Sequence, residues 1–282
     1  MKKVIIICGP TGIGKSALAM DLATDYCGEI ISGDSMQVYQ TMDIGTAKPS
    51  QKEQERIPHH LVDICSLEET FSVADFQRLV RTAIDEITAK GRIPILVGGT
   101  GLYIKAALYD YQFPSQKTDL PSYEHLTNEQ LYEHLTFLAP KVAKTIHPNN
   151  RKRLLRAYAM ADNQLTPSRS GNTPLYHFLC IGLTSDRPYL YQKINERVDT
   201  MVAKGLEQEA KQVLSHPQLS PTAKQAIGYN EWLPYFKQEK TKADVIADIK
   251  QATRRYAKRQ YTWFLNQFDV LWFDVQQTGY PT

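Results

Sequence analysis

The chain has 282 residues, 42% hydrophobic and 22% charged, with a formal net charge of +3. This composition suits a globular protein that buries a core without disulfides, and it argues against a disordered, collagenous or membrane-embedded chain. Cys8, Cys27, Cys65 and Cys180 show no paired spacing, and the first apolar run is too short for a signal peptide, so reduced thiols in a cytoplasmic protein are expected.

The first element is an apolar strand, Val4–Cys8, which runs into Gly9-Pro10-Thr11-Gly12-Ile13-Gly14-Lys15-Ser16 and then a helix over Ala17–Ala23. This is the P-loop pattern in its strand–loop–helix setting. Backbone N–H groups wrap phosphate oxygens, Lys15 adds a point charge, and the Ser16 hydroxyl can reach Mg²⁺. The pattern specifies a phosphorylated ligand, not a reaction. Further strands are expected at Glu29–Ser32, Leu61–Ile64 and Ile93–Val97. Val73, Phe76, Val80, Ile84 and Ile87 share one helix face, with Ser72 and Asp75 as a capping box. Strands alternating with helices predict a three-layer α/β fold, a parallel sheet with ligands at the carboxyl ends of its strands. His59-His60 with Asp63 is not read as a metal site, because adjacent residues of a strand face opposite ways.

After Phe113-Pro114 the chain turns polar and helix-like, up to the loop Thr166-Pro167-Ser168-Arg169-Ser170-Gly171. Residues 115–174 are therefore expected to form a helical insertion in a core made of 1–114 and 175–282. The core resumes with a strand at Phe178–Leu183, helices over Tyr189–Ser215 and Lys242–Gln267, and a last strand at Val270–Val275.

Asp34 follows the second strand, where its carboxylate could accept a proton beside the P-loop; an Asx turn at a strand exit explains it equally well. Thr100 in Gly98-Gly99-Thr100-Gly101 offers a hydroxyl to a leaving oxygen, or simply ends a strand-to-helix turn. No apolar strand ends in a convincing Mg²⁺ carboxylate, which argues against a motor or switch GTPase. Arg151, Lys152, Arg153 and Arg156 form one basic cluster; Arg254, Arg255, Lys258 and Arg259 form another on one helix face. Such runs are usually solvated surfaces, but two of them suit a polyanionic partner. Trp263 and Phe264 read better as core.

Taken together these motifs resemble the tRNA dimethylallyltransferases, or tRNA isopentenyltransferases. The matching segments are GPTGIGKS at 9–16, SGDSMQVYQTMDIGTAKPS at 32–50, PHHLVDI at 58–64, FSVADF at 71–76 and PILVGGTGLYIKA at 94–106. HPNNRKR at 147–153, INERVDTMVAKGLEQEA at 194–210, AIGY at 226–229 and TRRYAKRQYTWF at 253–264 follow in the family's order. The resemblance implies a P-loop NTPase-like core. It implies transfer of a dimethylallyl group from dimethylallyl diphosphate to N6 of the adenosine 3′ of the anticodon, with Mg²⁺ as cofactor. The loop at Gly9, Pro10, Thr11, Gly12, Ile13, Gly14, Lys15 and Ser16 would then hold the donor diphosphate, although the same pattern marks ATP-binding and nucleotide-binding proteins generally.

By the same resemblance Asp34 engages the N6 amine, Thr100 bonds the bridging oxygen and Arg197 binds the diphosphate. The tRNA contacts implied are Asp34, Ser35, Met36 and Gln37; Lys152, Arg153, Leu154, Leu155 and Arg156; and Gln225, Ala226, Ile227, Gly228, Tyr229 and Asn230. Lys258, Arg259, Gln260, Tyr261, Thr262, Trp263, Phe264 and Leu265 complete them. The adenosine would flip into a channel between core and insertion, and the enzyme is expected to act as a monomer without a membrane. Asn150, and Tyr158-Ala159 after Ala157, depart from the family's usual acidic residue and Leu-Glu. An adenylate isopentenyltransferase acting on free AMP, ADP or ATP is the alternative. A small-molecule kinase and a non-catalytic RNA-binding module have less in the sequence to support them.

Overall fold

The computed structural model describes residues 1–113, 123–163 and 171–278. They form two compact units, Met1–Tyr109 with Thr173–Thr282, and Asp110–Asn172. The larger unit contains six strands: β1 (Lys3–Cys8), β2 (Gly28–Ser32), β3 (His59–His60), β4 (Ile93–Val97), β5 (His177–Thr184) and β6 (Leu271–Asp274). All pair in parallel, in the order β3-β2-β4-β1-β5-β6. Its first segment carries helices α1 (Lys15–Asp25), α2 (Gln51–Arg56), α3 (Val73–Ala89) and α4 (Gly101–Leu108). The smaller unit is α5 (Asn128–Leu138), α6 (Pro140–Ala143) and α7 (Arg151–Asp162); α8 (Arg187–Ala203), α9 (Leu206–Leu214), α10 (Leu233–Phe236), α11 (Lys242–Gln267) and α12 (Val275–Thr278) complete the larger one.

The apolar strands are explained by burial from both sides. Ile6, Cys8, Ile31 and Leu96 enter the cluster that includes Phe76, Val80, Ile84 and Ile87 of α3. Their neighbours Ile7, Ile30, Ile95 and Val97 enter the opposite cluster with Ala19, Met20 and Ala23 of α1. The period-two alternation of a strand thus supplies two cores at once. The Ser72–Asp75 capping box starts α3, and a Thr241–Asp244 box starts α11.

Three boundaries differ from the sequence reading. The strand expected at Leu61–Ile64 lies at His59–His60, because Leu61 and Asp63 have φ of 63° and 56°, outside strand geometry. Leu61 is buried all the same, so its apolar side chain reports packing, not a strand. The single helical stretch over Tyr189–Ser215 is broken at Gly205 into α8 and α9. The smaller unit spans Asp110–Asn172 instead of 115–174. Tyr109 bridges Pro174, and the Leu175 N–H donates to the Leu108 carbonyl at 2.9 Å, which holds both chain ends in the larger unit. Pro114, Ser115 and Thr166–Ser170, which marked the expected boundaries, lie outside the described residues.

The smaller unit packs around Leu131, Leu135, Ala143 and Leu154. The two positions at which the resemblance implies a departure have local uses. Asn150 caps α7, its side-chain oxygen accepting the Arg153 N–H, a task Asn and Asp perform equally. Tyr158 packs its ring 5.1 Å from Tyr123 and 5.6 Å from His134.

Candidate active site

The P-loop joins β1 to α1. Whereas Ser72 and Thr241 cap α3 and α11, no side chain caps α1, whose N-terminus begins at Gly14. Uncapped first-turn N–H groups at a positive helix end suit an anion. Lys15 reaches back over the loop, Nζ donating to the Pro10 carbonyl at 2.7 Å. Thr11 N–H donates to Gln260 Oε1 at 2.9 Å, which ties the loop to α11. Burial pulls the Lys15 ammonium down to about 8, the charge of Arg197 adds to this, and Asp34 and Cys8 oppose it.

That shift has a measurable consequence. The ammonium is the form that binds an anion, so affinity should be full below about pH 8 and decline as pH rises through it. Titration calorimetry with inorganic diphosphate, in buffers of different ionisation enthalpy above that pH, should show proton uptake on binding. The same titration on Lys15→Met separates Lys15 from the titration of diphosphate itself.

Beside the loop, β2 and β4 end against each other. Gly33 N–H donates to the Val97 carbonyl at 2.6 Å, and a Cβ on Gly98 would stand 2.3 Å from the Gly33 carbonyl oxygen. Only glycine permits that approach, which brings Asp34 and Thr100 to one cleft. Asp34 does form an Asx turn, its Oδ1 accepting the Met36 N–H at 2.8 Å. It also lines the cleft, so the turn leaves the carboxylate at the cavity wall. Burial raises its pKa above the ordinary carboxylate value, against the Met36 N–H, the charges of Lys15 and Arg197 and the Gln37 N–H. Gln37 accepts from Ser32 Oγ at 2.8 Å and donates to the carbonyls of Thr46 and Ala47 at 3.2 Å.

Two cavities meet at this point. One, of about 290 Å³, lies over the P-loop and is walled by Ser32, Gln37, Ala47, Pro49, His59 and Gln260. The other, of about 350 Å³, is walled by Ser35, Met36, Thr100, Met201, Gln225–Gly228, Ile249, Thr253 and Arg259. Thr11, Asp34, Thr46, Arg197 and Tyr256 line both. All of these residues belong to the larger unit, whereas the sequence reading sought a channel against the insertion. Thr100 Oγ1 is buried here with no hydrogen bond of ordinary geometry, although the Tyr256 phenol lies close enough to interact with it. A poorly paired buried hydroxyl costs up to about 1–3 kcal/mol, a deficit that a ligand oxygen removes. Burial, then the Asp34 charge, pushes the Tyr256 phenol up to about 12, while Thr100 and Gln260 pull the other way. Burial lowers Arg197, and Asp34 opposes it. The junction thus holds a carboxylate, a guanidinium and the hydroxyls of Thr11, Thr46 and Tyr256.

The remaining sequence candidates separate into surface and core. Lys152, Arg153 and Arg156 are exposed on α7, as are Arg255, Lys258, Arg259, Thr262 and Leu265 on α11. Leu154, Tyr229 and Phe264, counted among the implied RNA contacts, are fully buried and serve packing, and Gln260 is turned inward to Thr11. Leu155, Tyr261, Trp263 and Asn230 are half-buried; Trp263 lies against Gly101 and Phe268. Ser16 is exposed at the head of α1, on the P-loop cavity. Arg254 leaves the basic stripe, donating to Asn195 Oδ1 at 2.7 Å over the Tyr191 ring. His60 bonds the buried Glu29 at 2.7 Å, and His59 Nδ1 meets the Ile57 carbonyl.

Tyr256 and Thr46 were missed as site residues, and Gln260 was placed on RNA. A usable signal existed on α11, where Thr253 and Gln260 interrupt the buried stripe of Ile249, Ala257 and Phe264. Polar residues on a helix's inner face mark a cavity.

A P-loop-type core whose glycine-rich loop opens onto a second chamber, with a carboxylate at the junction, has the architecture of a group-transfer enzyme. The family model described as IPP transferase matches residues 37–267. The tRNA dimethylallyltransferase of Enterococcus faecalis is 46% identical over 98% of this chain and 93% of its own, and that of Geobacillus kaustophilus is 47% identical over 99% and 92%. The crystal structure of tRNA delta(2)-isopentenylpyrophosphate transferase from Staphylococcus epidermidis superposes with a TM-score of 0.75, at 40% identity over 98% of this chain and 94% of that one. A eukaryotic dimethylallyltransferase acting on tRNA gives 0.81 at 31% identity, covering 97% of this chain and 74% of that one. The chain belongs to the IPP transferase family and is a transferase. Among the described residues no helix is long and apolar enough to cross a membrane.

Proposed function

We propose that the enzyme transfers a dimethylallyl group from dimethylallyl diphosphate to N6 of the adenosine 3′ of a tRNA anticodon, releasing diphosphate. The observation that carries this reading is the meeting of two chambers at Asp34, Arg197 and Tyr256. One chamber suits a diphosphate, the other a planar base. The names of the relatives supply the acceptor, tRNA.

Loop N–H groups, Lys15 and Arg197 hold the diphosphate, and Thr100 Oγ1 donates to its bridging oxygen. As the N6 lone pair attacks C1 of the donor, the C1–O bond breaks and its electrons leave with the diphosphate. Charge growing on that oxygen is the main electrostatic demand, and preorganised donors meet it without reorganisation. A neutral aryl amine is too weak an acid for a carboxylate, so the N6 proton passes to Asp34 once the C–N bond has formed. The raised pKa of Asp34 makes it a better base for that late transfer. Among the described residues no group of three acidic, His or Cys side chains could cage a metal. The exposed Ser16 hydroxyl on the P-loop cavity would be the side chain that holds Mg²⁺. When bound, the ion neutralises leaving-group charge.

Exposed Lys152, Arg153, Arg156, Lys258 and Arg259 suit RNA phosphates. Lys258→Ala should weaken anticodon stem-loop binding and reduce the slope of log K against log salt by about 0.7–1, leaving diphosphate affinity unchanged. Fluorescence anisotropy across a salt series checks both slope and affinity.

The deciding experiment offers dimethylallyl diphosphate and Mg²⁺ with unmodified anticodon stem-loop RNA, or with AMP, and reads the added prenyl mass. Product on RNA alone supports tRNA modification. Product on AMP alone would move the enzyme to the adenylate class, and no product on either would overturn the reading.

A further inference from the structure

Helices α8, α9 and α11 form one part of the second chamber's wall and irregular chain another, and one side chain outside both chambers organises the irregular part. After β2 the backbone runs without helix or strand up to Ser50, yet it must present Asp34, Ser35, Met36 and Thr46 to the cavities. Glu209 of α9 provides the anchor. Its Oε2 accepts the N–H groups of Asp43 and Ile44 at 3.0 and 2.8 Å, and its Oε1 accepts that of Gly45 at 2.9 Å. Three consecutive N–H groups converging on one carboxylate form an anion nest, here filled from within the chain. The fourth bond comes from the other side: Tyr229 Oη donates to Glu209 Oε1 at 2.7 Å.

Tyr229 is fully buried and follows Gly228, the last of the chamber-lining residues Gln225–Gly228. Burial, then the Glu209 charge, raises its pKa and keeps the phenol a donor. A Cβ on Gly45 would stand 2.6 Å from the Tyr229 ring, so the two segments are packed in direct contact at the bond they share. Glu209 is not among the residues lining either cavity, while Leu206, one turn earlier on α9, lines the second. Thr46, next to the nest, lines both chambers, and its carbonyl is held by Gln37.

We infer that Glu209 is a positioning residue for acceptor recognition: one carboxylate fixes the 43–45 turn and, through Tyr229, the 225–228 segment, and so sets the width of the acceptor chamber. This rests on the second chamber's being the acceptor side. Glutamine is isosteric here, but its amide has one acceptor oxygen and directs its own N–H groups at the nest. The 43–45 turn would therefore lose its anchor without a change of volume. The groups that hold the diphosphate, the P-loop, Lys15 and Arg197, are not members of the nest, and only Thr46–Pro49 connect it to the donor chamber's wall.

The test measures Glu209→Gln and Tyr229→Phe in the full chain. In Glu209→Gln the KM for anticodon stem-loop RNA should rise about tenfold or more, with kcat within about threefold and calorimetric diphosphate affinity unchanged; tenfold corresponds to ~1.4 kcal/mol. Tyr229→Phe leaves the nest filled and should give a smaller rise. Amide hydrogen exchange at 43–45 should be slow in the wild type and fast in Glu209→Gln, whatever the activity. An unchanged RNA KM beside exposed 43–45 amides, or a matching loss of diphosphate affinity, would overturn the inference. So would continued protection of those amides in the variant. If the wild type neither binds nor prenylates RNA, the acceptor assignment fails, and exchange at 43–45 still shows whether Glu209 holds the turn.

Discussion

Asp34→Asn should slow turnover about a thousandfold, within the 10²–10⁴ range of general-base losses, while anticodon stem-loop affinity stays close to wild type. Asparagine retains a side-chain oxygen for the Met36 N–H that Asp34 now accepts at 2.8 Å, so the turn survives while the basicity and the negative charge are lost. The sign of the pH effect follows from the same residue. Proton acceptance needs the carboxylate ionised, and burial has raised its pKa above the ordinary value of about 3.9. Wild-type kcat/KM should therefore fall as pH drops through that raised value, and the acid limb should vanish in Asp34→Asn. Single-turnover rates with saturating donor read both effects. A variant that keeps more than a tenth of wild-type turnover would assign the proton to another group.

Arg197→Gln should lower kcat by about 10²–10³, the loss found when one preorganised donor to a developing anion is removed. Its electrostatic neighbours provide a second readout. Arg197 depresses Lys15 and holds Asp34 down. Without its charge both pKa values rise, so the acid limb of kcat/KM and the alkaline limit of diphosphate binding should both move to higher pH. A slower enzyme with unmoved limbs would place the guanidinium away from the two groups. A loss of less than tenfold would remove Arg197 from the leaving group.

These two substitutions also contrast two kinds of legibility. The P-loop is contiguous, and its function depends on local backbone geometry, so eight residues and their flanks suffice to recognise it. Asp34 and Thr100 are nearly as legible, because the end of a parallel strand is a predictable location. Tyr256, Gln260 and Glu209 are different. Gln260 bonds Thr11 across 249 positions, and Glu209 bonds Gly45 across 164. No local pattern carries such pairs. The exposed basic stripe on α11 was anticipated, but Arg254, one member, turned out to be committed to Asn195. Helical periodicity gives direction around an axis; it does not say which neighbouring helix occupies that direction.

The misplaced strand has the same origin. Leu61 carries the apolar character expected of a strand, and it is buried, yet its backbone is left-handed. Hydrophobicity records removal from water, which a turn accomplishes as well as a strand. Periodicity over many residues is more reliable because each turn of α3 repeats the same burial requirement. Chain order, apolar periodicity and capping residues were sufficient for the parallel α/β core, the glycine-rich loop between β1 and α1 and the helical character of the smaller unit, since each is a local or repeating property of the backbone. The joining of two chambers at Asp34, the poorly paired Thr100 hydroxyl, and the filled nest at residues 43–45 arise only when segments remote in sequence share a boundary. Desolvation and unpaired polar groups are properties of that shared boundary, and it exists only in the folded chain.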